Sequence, residues 1–313
     1  MREADKTIYR GRFAPSPTGP LHFGSLVAAL GSYLDARANH GEWLLRMEDV
    51  DLPRCVAGAD VQILRTLEAF GFEWDGEVAY QSQRTALYRA AFEVLNAKGN
   101  LFPCICTRRQ LAGGATAIDG GLLYDGRCRN GLPEQANAPR AWRVRVPNAV
   151  PNALPDEDET AFDDVIQGRV AQQLWRDVGD FVVLRADGLF AYQLAVVVDD
   201  DEQGVTHVVR GADLLLSTAR QIHLQGCLGV AIPAYAHLPV AVNAAGEKLS
   251  KQTLAAPLDL LRPAASVVAA LDFLGQSPPA DLAAAGLDAV WSWARANWRL
   301  ARVPRGPALG PVA

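Results

Sequence analysis

The chain has no long hydrophobic run. Its longest apolar stretches, such as Leu194–Val198, fall far short of the roughly 20 residues that cross a bilayer, so no membrane partner is expected. The leading residues, Met1–Phe13, contain no apolar segment of the kind that directs secretion. Cysteine is scarce and odd in number, at five among 313 residues. Without a secretory segment, that count argues against a disulfide framework. Internal repeats and low-complexity blocks are absent. Net charge is only −5, which gives no general support for a nucleic-acid partner. These absences leave a cytoplasmic globular protein as the expectation. A chain of 313 residues, half of them apolar, suffices for one large domain or two modest ones with a core.

Charge is uneven along the chain. Arginines 127, 129, 140, 143 and 145 face a single nearby acid, Glu134, whereas Asp156–Glu159 is an unbroken acidic run. Taken alone, these read as two solvated loop faces, and the basic one is only a weak pointer to phosphate.

Strand and helix signals alternate. Ile8–Phe13 reads as a short strand ending in a Pro-rich turn, and Gly24–Ala38 as a helix with Leu26, Leu30, Tyr33 and Leu34 on one face. Trp43–Met47 is a second strand and Asp60–Phe70 a second helix closed by Gly71. Ser82–Lys98 is expected as a helix capped by Ser82, with Leu87, Ala91, Val94 and Leu95 as its stripe and Gly99 as its stop. This order argues for an α/β fold with a parallel sheet. Periodicity fails between Pro103 and Pro155 and resumes with a hairpin, 181–185 and 189–192, around Ala186–Gly188. A strand at Val205–Val209 and a helix from Asp213 to about Leu228 follow. The last expected helices are Leu258–Leu274 and Leu282–Trp298.

Two motifs carry chemistry. His22-Phe23-Gly24-Ser25 follows the run Arg12–Gly19, where Pro15, Pro17 and Gly19 hold the backbone in a tight, non-helical path. His22 then lies at a helix start, a place suited to phosphate, and Gly24 leaves room for a nucleotide. A lone His-x-Gly is more often a plain turn; the eight-residue run ahead of it reverses that judgement. Lys248-Leu249-Ser250-Lys251, after the turn residues Asn243 and Gly246, can bring two ammonium groups to the same phosphates. Surface lysines alone would say little.

Other residues suggest what is activated. Arg12 and Arg210 close two expected strands, and strand ends line the crevice of a parallel sheet. Forked guanidinium contacts there suit a carboxylate. Glu48 supplies the opposite charge for an ammonium, and Tyr192 a hydroxyl. Cys104, Cys106, Tyr124 and Cys128 are spaced to close a tetrahedral zinc site, although three reduced thiols beside a packed tyrosine fit the spacing equally well. Cys227 reads as a core residue, and Cys55 has no assigned role.

Four segments then converge on one family. R-F-A-P-S-P-T-G-x-L-H from Arg12, R-M-E-D-x-D at Arg46–Asp51, A-Y-Q-L-A-V-V-V-D-D at Ala191–Asp200 and H-V-V-R-G at His207–Gly211 resemble the glutamyl-tRNA synthetases, a family of class I aminoacyl-tRNA synthetases. The resemblance spans about residues 8–255. It implies a Rossmann-like catalytic domain in two halves (1–102 and 181–255), an inserted zinc-bearing subdomain (103–180) and a short helical C-terminal region (256–313). It implies glutamate binding by Arg12, Phe13, Ala14, Pro15, Ser16, Glu48, Tyr192 and Arg210, and ATP binding by His22, Gly24, Ser25, Lys248 and Lys251. His22, Lys248 and Lys251, with Mg²⁺ on the ATP, would serve the transition state. The resemblance favours one structural Zn²⁺ on Cys104, Cys106, Tyr124 and Cys128 over reduced thiols.

Within the family, the K-L-S-K-Q spelling at Lys248–Gln252 and the 62 residues after Lys251, too few for an anticodon-binding region, resemble its short members. Those attach glutamate to the queuosine base of tRNA(Asp) instead of a 3′ ribose. The implied partners are glutamate, ATP and queuosine-bearing tRNA(Asp), acted on by a monomer. The rival expectations are a truncated enzyme charging tRNA(Glu) and a non-catalytic zinc-containing RNA-binding relative. Cys55 is a departure from the family's pattern.

Overall fold

The computed structural model describes residues 8–132, 140–147, 159–242 and 256–310. The Lys248–Lys251 motif therefore lies outside the described residues. Strand β1 (Arg10–Phe13) pairs in parallel with β2 (Glu42–Met47), and helix α1 (Phe23–Ala38) crosses between them. Leu26, Leu30, Tyr33 and Leu34 are all buried, as expected, but the buried surface is wider and takes in Ala29, Gly31 and Ser32 as well. Gly31 fits the close approach: a Cβ there would meet Leu238 Cδ1 at 2.5 Å, so a larger residue would have to displace the Leu238 side chain or the helix. Helix α2 (Ala59–Ala69) leads to β3 (Ala79–Tyr80), which extends the parallel sheet beyond β2.

Helix α3 runs Thr85–Ala97, and two expectations about it are corrected. Ser82 does not cap it; that residue sits in a 3-10 turn, and its backbone N–H and hydroxyl both donate to Asp49. The buried stripe is Tyr88, Phe92 and Leu95, whereas Leu87 and Val94 are exposed. The aromatic rings, larger than the aliphatics one position away, take the inward face because they fill more of the core.

The region from 101 to 184 divides between two sheets. β4 (Leu101–Cys104), α4 (Arg108–Leu111) and β5 (Ala141–Val144) precede β6 (Thr160–Asp164), β7 (Gly168–Gln172), α5 (Leu174–Asp177) and β8 (Phe181–Leu184). β4, β5 and β8 form an antiparallel sheet. The β6–β7 hairpin does not stay with them, although it falls within the expected insertion 103–180. It completes a four-stranded sheet with β9 (His207–Gly211) and β10 (Ala234–Leu238), through parallel pairing of β6 with β10. The expected hairpin after β8 reduces to a tight turn, with Gly188 at φ +87° and one bridge, Leu184 to Phe190. Tyr192 does not end a strand; it starts helix α6 (Tyr192–Glu202).

β9 and β10 are parallel neighbours linked through α7 (Thr218–Leu228). Thr206 N–H donates to Arg10 O at 3.0 Å, which sets β9 beside β1. After β11 (Val240–Ala241) the chain returns as α8 (Pro263–Phe273), α9 (Leu287–Asn297) and β12 (Ala308–Leu309), which pairs with β11. These helices close the first half's core. Trp291 Nε1 donates to Phe70 O at 2.9 Å, and Trp298 Nε1 to Asp35 Oδ1 at 3.2 Å.

An ionic network ties the halves together. Arg46 on β2 is fully buried; it donates to Asp200 Oδ1 at 2.8 Å and Gln203 Oε1 at 2.6 Å, and lies 3.4 Å from Glu48. Arg12 reaches the same Asp200 at 3.2 and 3.3 Å. Neighbouring Asp199 accepts from Arg84, Gln81 and Tyr88 at 2.6–2.8 Å. Burial alone would raise the Asp200 carboxyl, but Arg12 and Arg46 hold it below the usual carboxylate range. Asp200→Ala should cost about 3–5 kcal/mol, because it leaves two buried guanidinium groups short of charge. Denaturant unfolding at neutral pH checks this: the midpoint should fall with the slope unchanged, and a loss below about 1 kcal/mol would contradict the network's role.

Candidate active site

A cavity of 670 Å³ opens where β1, β2 and β9 end and α1 and α6 begin. Arg12, Phe13, Ala14, Pro15, Ser16, His22, Gly24, Ser25, Glu48, Tyr192 and Arg210 all line it. These are all the sequence-expected glutamate and ATP residues that fall among the described ones. The flanks of the Lys248–Lys251 segment also reach this place: Val240 and Ala241 line the cavity, and Pro257 bridges to His22.

His22 is the N-cap of α1. Its Nδ1 accepts the Ser25 N–H at 3.4 Å, while Ser25 Oγ accepts the His22 N–H at 3.5 Å, a reciprocal capping box. With Nδ1 accepting, the ring proton resides on Nε2, the tautomer that donates to a phosphate oxygen. The positive end of a 16-residue helix points the same way. The Pro-rich run is pinned to the β2 turn: Glu48 N–H donates to Pro15 O at 3.0 Å, and Val56 N–H to Pro17 O at 2.9 Å.

The two arginines differ in what they have left to give. Arg12 spends Nε and Nη2 on Asp200, so the expectation that both present an uncommitted fork to a ligand needs revision. Arg210, only 5% exposed, has no carboxylate partner among the described residues. Its Nε donates to His237 Nε2 at 3.0 Å and its Nη2 to Thr218 Oγ1 at 2.9 Å, while the buried Nη1 has no hydrogen-bond partner among the described residues. A buried donor without a partner is costly, and here it belongs to a residue of the cavity wall. Glu48 supplies negative charge to that wall. Burial raises its carboxyl above the usual range, with Arg46 and Arg12 opposing. Burial and Glu48 push the Tyr192 phenol up to about 12, so it stays a hydroxyl at neutral pH.

Spacing arguments did not single out Arg46, Asp199 and Asp200, which hold Arg12 and Glu48 in place. The signal available was a run of four acids, Asp199–Glu202, ending a largely apolar helical segment. Asp213, Leu214 and Leu238 also line the cavity and carried no signal.

The sulfurs of Cys104, Cys106 and Cys128 lie within 4.8 Å of one another. Cys106 and Cys128 are 3.6 Å apart, and Tyr124 Oη is 3.6 Å from Cys104 Sγ. Ligands about 2.3 Å from a tetrahedral zinc sit about 3.8 Å apart, so the spacing fits. Arg143 Nε donates to Cys104 Sγ at 3.4 Å, and its guanidinium lies 4.0 Å over the Tyr124 ring. Burial works against a Cys104 thiolate, but hydrogen bonds from Arg143, the Cys106 backbone and Tyr124, with the Arg143 charge, together outweigh it and lower the thiol. Arg143 is thus buried, not on a solvated face, and Arg129 is tied to the buried Asp180. Both are corrections to the basic loop face expected at 127–145. Beside the cluster lies a second cavity of 810 Å³, lined by Arg54, Arg108, Arg185 and Arg220 among others, with Tyr192 common to both cavities.

Residues 9–262 match the catalytic domain of the class I tRNA synthetases for E and Q, glutamate and glutamine. The chain is 62% identical over 297 residues to a glutamyl-Q tRNA(Asp) synthetase of Aromatoleum aromaticum, covering 95% of this chain and 91% of that protein. It is 58% identical over 306 residues to the one of Chromobacterium violaceum, covering 98% and 99%. A glutamate-tRNA synthetase crystal structure from Elizabethkingia anophelis is similar at a TM-score of 0.78 and 27% identity, covering 96% of this chain and 68% of that one. With the family's catalytic-domain pattern spanning most of its length around a cavity of this make-up, the chain belongs to the class I tRNA synthetases of the glutamate and glutamine type.

Proposed function

We propose that the protein activates glutamate with ATP, without tRNA, and transfers it to the queuosine base at the wobble position of tRNA(Asp). The observation that carries this reading is the polarity of the first cavity. A buried, unpartnered guanidinium nitrogen of Arg210 and the carboxylate of Glu48 share one wall system, as a ligand with a side-chain carboxylate and an α-ammonium requires. The relatives named glutamyl-Q tRNA(Asp) synthetase, matched over 91–99% of their lengths, support the acceptor.

In the first step a glutamate α-carboxylate oxygen attacks the α-phosphorus of ATP and pyrophosphate leaves. His22 Nε2–H and the α1 N-terminus favour the charge that develops on the phosphates, and Mg²⁺ enters with the nucleotide. We assign Lys248 and Lys251 to the departing pyrophosphate; the cavity positions of Val240 and Ala241 on one side and the Pro257 bridge to His22 on the other support this. Arg12 and Tyr192 shape the amino-acid end. In the second step a hydroxyl of the acceptor attacks the glutamyl carbonyl carbon and AMP leaves. Positioning and charge account for such chemistry without a protein nucleophile. The second cavity, joined to the first at Tyr192 and bordered by Arg54, Arg108 and Arg185, is where we place the acceptor base. Cys104, Cys106, Cys128 and Tyr124 would hold one Zn²⁺, which supplies a structural cross-link between β4 and the loop carrying Tyr124 and Cys128. The enzyme acts as a monomer in the cytoplasm; no helix among the described residues is long and apolar enough to cross a membrane.

Transfer of labelled glutamate tests the whole reading. Label should enter queuosine-bearing tRNA(Asp) and not its queuosine-free counterpart, and pyrophosphate exchange should proceed without tRNA. Label at the 3′ end of tRNA(Glu) instead would establish the truncated-synthetase alternative.

Acidification tests Glu48. Its raised carboxyl must be ionised to hold the α-ammonium, so the glutamate KM should begin to rise, as pH falls, above the value of about 4.3 at which an ordinary glutamate protonates. Glu48→Gln should raise KM at neutral pH and flatten that pH dependence. A wild-type KM that stays level down to ordinary carboxylate range would remove Glu48 from ammonium binding.

Metal analysis tests the cluster. Freshly purified protein should carry about one zinc per chain, and Cys104→Ser should lower both zinc content and melting temperature. Metal-free protein with an unchanged melting temperature would point to plain thiols.

A further inference from the structure

Behind Arg210 lies a buried chain of polar groups that the reaction steps above leave unused. His237 on β10 and Asp164 on β6 are both almost inaccessible, at 0% and 3% exposure. Asp164 Oδ2 sits 2.6 Å from His237 Nδ1, and its Oδ1 accepts the backbone N–H groups of Ile166, Gln167 and His237 at 2.8–3.2 Å. A carboxylate so anchored by backbone donors cannot swing away. It requires the imidazole proton on Nδ1, which leaves the Nε2 lone pair as an acceptor, and Arg210 Nε donates to it at 3.0 Å.

We infer that Asp164 and His237 are positioning residues that fix the Arg210 guanidinium for the glutamate side-chain carboxylate, and so set selection of glutamate over glutamine. The inference rests on the proposed activation of glutamate. It explains why the group behind Arg210 is an imidazole. A carboxylate placed directly on Arg210 would neutralise it and compete with the ligand, as Asp200 does at Arg12. A neutral ring accepts one hydrogen bond and leaves the whole positive charge for the ligand. Burial, with Arg210 and Arg12, outweighs Asp164 and pushes His237 down to about 4, so the ring is neutral wherever the enzyme works. With Nε held by His237 and Nη2 by Thr218 Oγ1 at 2.9 Å and Leu214 O at 3.4 Å, the guanidinium plane has no freedom, and Nη1 is the atom left over. A neutral glutamine amide would offer that donor a weaker and poorly matched partner.

Glutamate-dependent ATP–pyrophosphate exchange in the full chain tests this, with Asp164→Asn, His237→Leu, His237→Gln and Thr218→Val. Asp164→Asn can donate to Nδ1 and drive the ring to the opposite tautomer, whose Nε2–H faces the guanidinium. Asp164→Asn and His237→Leu should each raise the glutamate KM roughly tenfold or more and shrink the preference over glutamine, with the ATP KM within about twofold of wild type. His237→Gln, which keeps an acceptor near Nε2, should recover part of the loss. An unchanged glutamate KM in these variants, or glutamate and ATP KM rising together, overturns the inference. Should the buried substitutions fail to fold, Thr218→Val removes the hydroxyl that accepts from Arg210 Nη2 and lies 3.3 Å from His237 Nε2, and an unchanged glutamate KM there overturns it equally. Wild-type protein that activates no glutamate would instead defeat the functional reading on which this one stands.

Discussion

Arg46 is a guanidinium with no access to water, and the geometry of the first cavity follows from how it is neutralised. It stands on β2, in the first part of the chain, while Asp200, on α6 beside Asp199, comes 154 residues later. Stripping three charges of water costs several kcal/mol each, so the arrangement survives only because every member has a close partner. Arg12 joins through Asp200, and Glu48 lies against Arg46. Two groups of the binding wall are therefore held by one ion cluster that also locks α6 against β1 and β2. Fold and site share the same interactions.

The cavity's asymmetry follows from that cluster. Arg12 is already balanced by Asp200, whereas Arg210 is backed by neutral groups only. One arginine shapes the wall and the other carries unspent charge. Across from them, α1 brings a dipole end, a capping histidine and Gly24 to the same space because Gly31 lets the helix lie directly on Leu238.

The segment that lacks periodicity builds its own small core instead of serving as a linker. Phe102, Cys104, Leu111, Tyr124 and Cys128 cluster together, with Arg143 stacked on the tyrosine ring. So small a group of side chains gives little hydrophobic stabilisation, a shortfall that the proposed Zn²⁺ would offset. The basic character read from Arg127–Arg145 resolves into internal contacts for Arg129 and Arg143, and of that stretch only Arg143 borders the second cavity, beside Arg54, Arg108, Arg185 and Arg220 from elsewhere in the chain.

The sequence by itself determined most of the elements and the groups proposed for the site. A Pro-rich run before a helix-capping histidine is a local device, written in consecutive residues, and so are the cysteine spacing and the apolar strands that end in Arg12, Glu48 and Arg210. Short-range rules of turn, cap and periodicity reach that far. They erred where burial chose between adjacent positions, as with Tyr88 and Phe92 inside and Leu87 and Val94 outside on α3. They also erred where a hairpin, β6–β7, joined a sheet remote in sequence. Only the tertiary structure decided that Arg12 would be neutralised and Arg210 left charged, since their partners Asp200, His237 and Asp164 come from other strands and helices. The pairing of charges in a low-dielectric interior depends on distance in space, and distance in space is what periodicity along a chain does not encode.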